Sequence, residues 1–225
     1  MNVFRIMNKS AAGTPPRKGD VRESTGYRIA KRAMDLTGAV CGIVFFMPLF
    51  LMVAIMIKLE DPKGPVLFKQ TRVGKNGRHF QMFKFRSMVT NAEQIFEDLK
   101  QHNEIEGAMF KMKNDPRVTK IGRFIRKTSI DELPQLWNVL RGEMSLVGPR
   151  PPLVNEVAEY TAYDMQRLQV VPGCTGVWQV SGRNSLSFYE MVELDLKYIE
   201  ERSLLLDIKI ILKTFAVMFG SRDAF

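Results

Sequence analysis

Two adjacent carboxylates, Asp131 and Glu132, stand in the segment SIDELPQLWNVLRGEMSLVGPRPP with cationic side chains close by on both sides. Arg123, Arg126 and Lys127 precede the pair, and Arg150 follows it in Gly148-Pro149-Arg150-Pro151. Carboxylates serve as nucleophiles or as general acids and bases. Ammonium and guanidinium groups converging beside them near a helix N-terminus suit a phosphoryl group. Adjacent helix positions point about 100° apart, so one acid can attack while the other handles a proton. A carboxylate here can also share Mg²⁺ with substrate phosphates, since that ion commonly takes one or two carboxylates. A purely structural alternative stands beside these. Ser129 and Glu132 have capping-box spacing, Asp131 complements a helix dipole, and Pro134 is tolerated in a first turn.

The rest of the composition narrows the chemistry. The two histidines, His79 and His102, and the two cysteines, Cys41 and Cys174, are far apart in sequence, with no C-x-x-C or H-E-x-x-H spacing. That argues against a structural zinc site and a disulfide framework, and leaves acid-base and nucleophilic work to carboxylates. A formal net charge of +9 points to anionic partners: nucleic acid, acidic lipid or a phosphorylated substrate. No nucleic-acid module or RNP-like aromatic motif is present, so nucleic acid is not expected as a partner.

These residues need elements to position them. Residues 1–27 are polar and basic and read as a mobile tail with no signal-peptide core. From Leu36 to Ile57 no residue is charged, and the run is long enough to cross a bilayer. Pro48 near its middle removes a backbone hydrogen bond and kinks the helix. Arg28, Lys31 and Arg32 flank one end and Lys58 and Lys63 the other, so both ends compete for the same membrane face. This favours a re-entrant helix over 28–62 against a Pro-kinked span. Residues 63–225 then form one domain. Phe80, Met82 and Lys84 alternate after an Asn76-Gly77 turn signal, and Val66, Phe68 and Gln70 alternate before it, which predicts a β-hairpin.

A helix is predicted from Asn91 to Lys100, a weakly ordered loop from Gln101 to Asp115, and a helix carrying Val118, Ile121, Phe124 and Ile125. The stretch from Val171 to Ser185 reads as a Gly-rich connector holding Trp178, Gln179, Arg183 and Asn184. An aromatic with amide and guanidinium groups suits a base or a sugar, but no G-x-G-x-x-G or Walker pattern is present. Near the C-terminus, Leu204, Leu205, Ile208, Ile211, Leu212, Phe215 and Phe219 line one side of a helix, fitted equally to a core or a membrane interface.

Taken in order, KRAMD, the Pro-broken apolar run, PVLFKQTRVGKNGRHFQMFKFRSM, SIDELPQLWNVLRGEMSLVGPRP, PGCTGVWQVSGRN, ELDLKYI and SLLLDIKIILKT resemble the bacterial sugar transferases. These are monotopic phosphoglycosyl transferases, and the likeness runs from about Lys31 to about Thr214 in what resembles their minimal short form. The resemblance implies an α+β fold. A membrane re-entrant helix precedes a compact, mostly helical catalytic domain at the cytoplasmic face of the bacterial inner membrane, with a small β-hairpin and amphipathic interfacial helices. It implies Mg²⁺ as cofactor, bound with the help of Asp131, and transfer of a sugar 1-phosphate from a UDP-sugar to undecaprenyl phosphate, initiating a cell-surface glycan. By the same resemblance Asp131 is the nucleophile that becomes phosphosugar-bearing, Glu132 assists as base or by positioning, and Lys84, Arg126 and Arg150 meet phosphate groups. Trp178, Gln179, Arg183 and Asn184 are candidate nucleotide-sugar contacts. Where the family typically has Ser before the membrane proline this chain has Met47, which removes a hydroxyl able to recapture the freed carbonyl. Partners beyond UDP-sugar, lipid phosphate and membrane lipid, such as a second copy or downstream glycosyltransferases, stay open, as does the identity of the sugar.

Overall fold

A computed structural model describes residues 24–99, 112, 114–182 and 186–220. Most of the expected 1–27 tail lies outside the described residues, and so does most of the Gln101–Asp115 loop. The long apolar helix begins earlier than its charge pattern suggested. The Ser24 side chain accepts a hydrogen bond from Tyr27 N–H and caps α1, Thr25–Glu60. The helix runs as one element through Pro48, whose missing N–H leaves the carbonyl of Val44 unbonded by it.

After α1 come strands β1 (Leu67–Val73) and β2 (His79–Phe85), an antiparallel hairpin with Phe68 opposite Lys84, Gln70 opposite Met82 and Arg72 opposite Phe80. Asn76 and Gly77 both take positive φ in the connecting turn, as the Asn-Gly signal requires. Helices α2 (Ala92–Leu99), α3 (Lys120–Lys127) and α4 (Gln135–Arg141) follow. A second small sheet pairs β3 (Ser145–Val147) in parallel with β4 (Gly173–Thr175), and α5 (Val154–Ala158) lies between them in sequence. The segment read as a plain connector therefore contains a strand and the 3₁₀ turn Trp178–Val180. Helices α6 (Phe188–Glu201) and α7 (Leu204–Gly220) close the described chain. The α+β expectation holds.

Among the described residues three apolar clusters form the core, and α1 contributes to two of them. Ala39 packs with Phe80, Met82, Val139 and Met144, and Val53 and Ile57 pack with Phe85 and Ile125. The third cluster joins β3 to α6 and α7 through Val147, Val192, Leu196, Ile199 and Ile210. Both ends of α1 are also tied to the domain by polar bonds. Asp35 accepts from Ser145 Oγ and Leu146 N–H, each at 3.0 Å, and Lys31 reaches Asp207 at 2.9 Å. At the other end the Glu60 carboxylate accepts from Lys120 N–H at 2.8 Å and Asp61 pairs with Arg86 at 2.7 Å. Glu60 thereby satisfies an N–H of the first turn of α3 that has no partner within that helix.

The remaining faces of α1 are bare. Val44, Phe45, Leu51 and Ile55 are exposed, Phe45 by 77%. The apolar side of α7 is bare as well: Leu205, Ile208, Leu212 and Phe215 face outward while Asp207 and Ile210 point in. Burying that apolar side in the domain core is thus ruled out for these four residues. Phe124 on α3 is half-exposed as well.

Candidate active site

Asp131 and Glu132 do not open an α-helix. They lie in the 3₁₀ turn Ile130–Glu132, and α4 starts only at Gln135, with Pro134 as the residue just before it. Ser129 adopts a left-handed conformation at φ 56°, and its side chain makes no capping hydrogen bond. The capping-box expectation is overturned, because the Glu132 carboxylate is engaged elsewhere. Its Oε1 accepts from Lys84 Nζ at 2.7 Å and lies 3.6 Å from Arg150. The tight turn carries Asp131 inward, where it is only 8% exposed.

Each cation arrives on a different element. Lys84 follows Phe80 and Met82 on the inward face of β2, so the alternation that packs the hairpin also delivers the ammonium. Arg126 lies in the last turn of α3 and its charge acts on Asp131. Arg150 sits in the loop after β3, which is clamped to the β4 loop by Gly148 N–H to Thr175 carbonyl at 2.9 Å and Gly173 N–H to Pro149 carbonyl at 2.8 Å. Gly173 is obligatory there, since a Cβ would stand 2.0 Å from the Gly148 nitrogen. The hairpin is locked to α4 by Asn138, which is fully buried. Its amide oxygen accepts from Phe83 N–H and its NH₂ donates to the Gln81 carbonyl and to Glu143. Arg32 of α1 in turn donates to the Val139 and Leu140 carbonyls at the end of α4.

Burial shapes the electrostatics. Desolvation, reinforced by the neighbouring Glu132 charge, pushes the Asp131 carboxyl up to about 6 against the opposing pull of Lys84, Arg126 and Arg150. Desolvation also lowers the Lys84 ammonium from its ordinary range despite Glu132. A carboxylate held in a dry site among cations is poorly solvated and loses little solvent on attack, which suits a nucleophile toward phosphorus.

Of the residues singled out from sequence, Asp131, Glu132, Lys84, Arg126 and Arg150 come together here. Gln179 lines the same cleft, and Trp178 lines an adjoining cavity that shares Arg150 and Pro151. Arg183 and Asn184 lie outside the described residues. Pro48 belongs to α1 and not to this cleft. Sequence reasoning missed Arg72, which is buried in the cleft wall and donates to Gln70 and to the Pro151 carbonyl. Burial and the Arg150 charge lower it to about 10. The signal was there: in the hairpin register Arg72 stands opposite Phe80 and so shares the face that carries Lys84. Cys174 and Gln135 also line the cleft, with no comparable signal.

For Mg²⁺, the donor set fits as far as it goes. Among the described residues no cluster of three or more His, Cys, Asp or Glu side chains exists, so an all-protein cage is lacking. Asp131, with Glu132 beside it, offers the one or two carboxylates this ion uses when phosphate oxygens and water complete its shell.

A buried carboxylate ringed by cations thus stands in the same domain as a long helix with a bare apolar face. The family profile for "Bacterial sugar transferase" matches residues 26–221, and the chain belongs to that family. Over 193 residues it is 53% identical to "Galactosyl transferase CpsE" of Streptococcus agalactiae serotype III (strain NEM316), covering 85% of this chain and 42% of that protein. Over 212 residues it is 47% identical to "Undecaprenyl-phosphate glucose phosphotransferase" of Komagataeibacter xylinus, covering 88% of this chain and 37% of that protein. Over 215 residues it is 40% identical to "Exopolysaccharide production protein ExoY" of Rhizobium meliloti (strain 1021), covering 94% of each. The chain thus spans less than half the length of the first two relatives and nearly all of the third.

Proposed function

We propose that this chain transfers a sugar 1-phosphate from a UDP-sugar to undecaprenyl phosphate, the initiating step of a cell-surface glycan such as an exopolysaccharide. The observation that carries the reading is Asp131, a buried carboxylate facing the charges of Lys84, Arg126 and Arg150. Relatives named as undecaprenyl-phosphate sugar phosphotransferases support the lipid phosphate and the phosphotransfer.

In the first step an Asp131 carboxylate oxygen attacks the sugar-bearing phosphorus. The bond from that phosphorus to the bridging oxygen breaks, and UMP leaves with the electron pair. In the second step an oxygen of the lipid phosphate attacks the same phosphorus, the bond to Asp131 breaks, and the carboxylate is regenerated as the lipid-diphosphate sugar departs. Lys84 and Arg150 offset charge on the phosphoryl oxygens, and Glu132 holds both cations in place. Arg126 keeps Asp131 within reach of its ionised form. Mg²⁺ held by Asp131 and the substrate phosphates would add charge neutralisation there.

The membrane arrangement belongs to the same proposal. A 36-residue helix is about 54 Å long, yet both its ends are bonded to one domain. That supports α1 entering and leaving the cytoplasmic face of the inner membrane, with the bare face of α7 resting in the interface. Purified protein with Mg²⁺, undecaprenyl phosphate and a panel of UDP-sugars is expected to release UMP, and Asp131→Asn to abolish release. Full turnover by Asp131→Asn would remove the proposed nucleophile.

A further inference from the structure

The KRAMD motif near the start of α1 opens on Lys31 and closes on Asp35, and neither residue lines the catalytic cleft. Lys31 does not extend into water: its side chain is only 14% exposed. Its ammonium has three protons and meets three acceptors, Asp207 at 2.9 Å, Asp35 at 3.4 Å and the Val147 carbonyl at 3.2 Å. The Tyr198 O–H of α6 reaches the same carbonyl at 3.0 Å and the Asp207 carboxylate at 2.8 Å, sharing its one proton between two acceptors. Asp207, on α7, is fully buried. Pairing with Asp207 alone would fasten α1 to α7. The contact with Val147 does more, because Val147 ends β3 and opens the loop that carries Arg150. The two helices with bare apolar faces therefore meet where that loop begins.

The loop reads Gly148-Pro149-Arg150-Pro151-Pro152, and its three prolines have no N–H to donate. It is held mainly through carbonyls. Pro149 accepts from Gly173 N–H at 2.8 Å, Pro151 from Arg72 at 3.0 Å and Pro152 from Val73 N–H at 3.0 Å. Val147 is the fourth such carbonyl, and α1 and α6 supply its donors, with Ser145 Oγ also at 3.0 Å. Arg150 is the one charged side chain between Val147 and Pro152, so fixing this backbone fixes where its guanidinium points. We propose that Lys31, with Tyr198 and Asp207, is a positioning residue for Arg150, holding the Val147 end of the loop so that the guanidinium faces the donor phosphates. The inference rests on the phosphotransfer reading, which sets Arg150 against those phosphates, and adds to it residues that never touch substrate. A guanidinium binds phosphate through a fork of directed N–H groups, so its orientation matters more than that of a point charge.

The test is a double-mutant cycle on kcat/KM for UMP release by the full chain in lipid nanodiscs, with Mg²⁺, undecaprenyl phosphate and the UDP-sugar that turns over fastest. Lys31→Met deletes the ammonium, and Tyr198→Phe deletes only the hydroxyl. In the wild-type background each is expected to lower kcat/KM about tenfold. In an Arg150→Lys background, where a point charge has no fork to aim, the same substitutions should cost less than about twofold. Melting curves check folding, and Tyr198→Phe stands in if Lys31→Met, which strands two carboxylates, unfolds the chain. Equal losses in both backgrounds overturn the proposal, since a merely stabilising contact is indifferent to the residue at 150. Unchanged kcat/KM in the folded single variants overturns it too. A second measurement needs no turnover: hydrogen exchange of the peptide 145–153 should speed at least about fivefold in each variant, with 67–85 unchanged. Unaltered exchange at 145–153 also sinks the proposal. The two readings fail separately. Absence of UMP release from every donor defeats the phosphotransfer reading, whereas normal release with equal losses in both backgrounds defeats only the positioning role.

Discussion

Replacing Asp131 by Asn should stabilise the fold at neutral pH while it destroys transfer. The Asp131 carboxyl moves from 3.8 to about 6 on folding, chiefly because it is desolvated and stands next to Glu132. At about 1.36 kcal/mol per pH unit this amounts to about 3 kcal/mol against the ionised form in the folded state. The sign follows from the direction of the shift. The folded value lies above the unfolded one, so the folded chain binds the proton more tightly. Its relative stability is therefore fully present below about pH 4 and lost as pH rises through about 6. Asn has nearly the same shape and no charge to desolvate. Its variant should gain up to about 3 kcal/mol at pH 8, equivalent to about 6–12 °C in a chain of this size, and almost nothing at pH 4. Thermal melts of both proteins in detergent, paired at each pH, measure the difference directly. An Asn variant that melts at or below wild type at pH 8, or a difference that fails to shrink toward pH 4, would refute the reasoning.

Other expectations follow from the same geometry. Transfer requires ionised Asp131, so kcat/KM should climb through an acidic limb centred near pH 6, read from a UMP-release pH profile; a limb near pH 4 would contradict the burial argument. Lys84→Met removes the 2.7 Å partner of Glu132 and a phosphate contact, and should lower kcat/KM at least about a hundredfold with the fold intact by circular dichroism. Gly122→Ala puts a Cβ 1.9 Å from the Ser87 carbonyl oxygen, a backbone atom, and should destabilise by about 2–4 kcal/mol in chemical denaturation. For topology, cysteines at Arg28 and Lys63, in a chain with Cys41 and Cys174 replaced by Ala, should react with an impermeant maleimide from the same membrane face. Labelling from opposite faces would exclude the re-entrant arrangement.

The hairpin was legible because its information is local. Period-2 alternation and the Asn76-Gly77 turn together specify which side chains share a face, and Lys84 emerged from that pattern. Arg72 was equally readable once the register was worked out, but a lone Arg in a strand has no cue of its own. The apolar run of α1 was legible too, from the absence of charge. Its start was misplaced because the cap at Ser24 lies among polar residues that resemble a tail.

The sharpest contrast lies in two copies of one local pattern. Ser187-Phe-Tyr-Glu190 and Ser129-Ile-Asp-Glu132 both carry capping-box spacing. The first is a capping box: the Ser187 hydroxyl accepts from Glu190 N–H and the Glu190 carboxylate accepts from Ser187 N–H. The second is not, since Glu132 binds Lys84 across the domain and Ser129 turns left-handed. An exposed carboxylate takes the nearest backbone donor. One facing a buried ammonium takes the stronger, charge-assisted partner.

By itself the sequence determined which groups were available: adjacent acids, cations in three separate segments, an apolar anchor and an aromatic in a Gly-rich stretch. Those are matters of composition, spacing and period. Only the tertiary structure decided which of them meet. It put Asp131 in a dry turn, paired Glu132 with Lys84, and set Trp178 beside Tyr160 and Arg150 in a second cavity. Contacts between residues far apart in the chain, and the desolvation that raises a carboxyl, exist only once strands, turns and helices have packed.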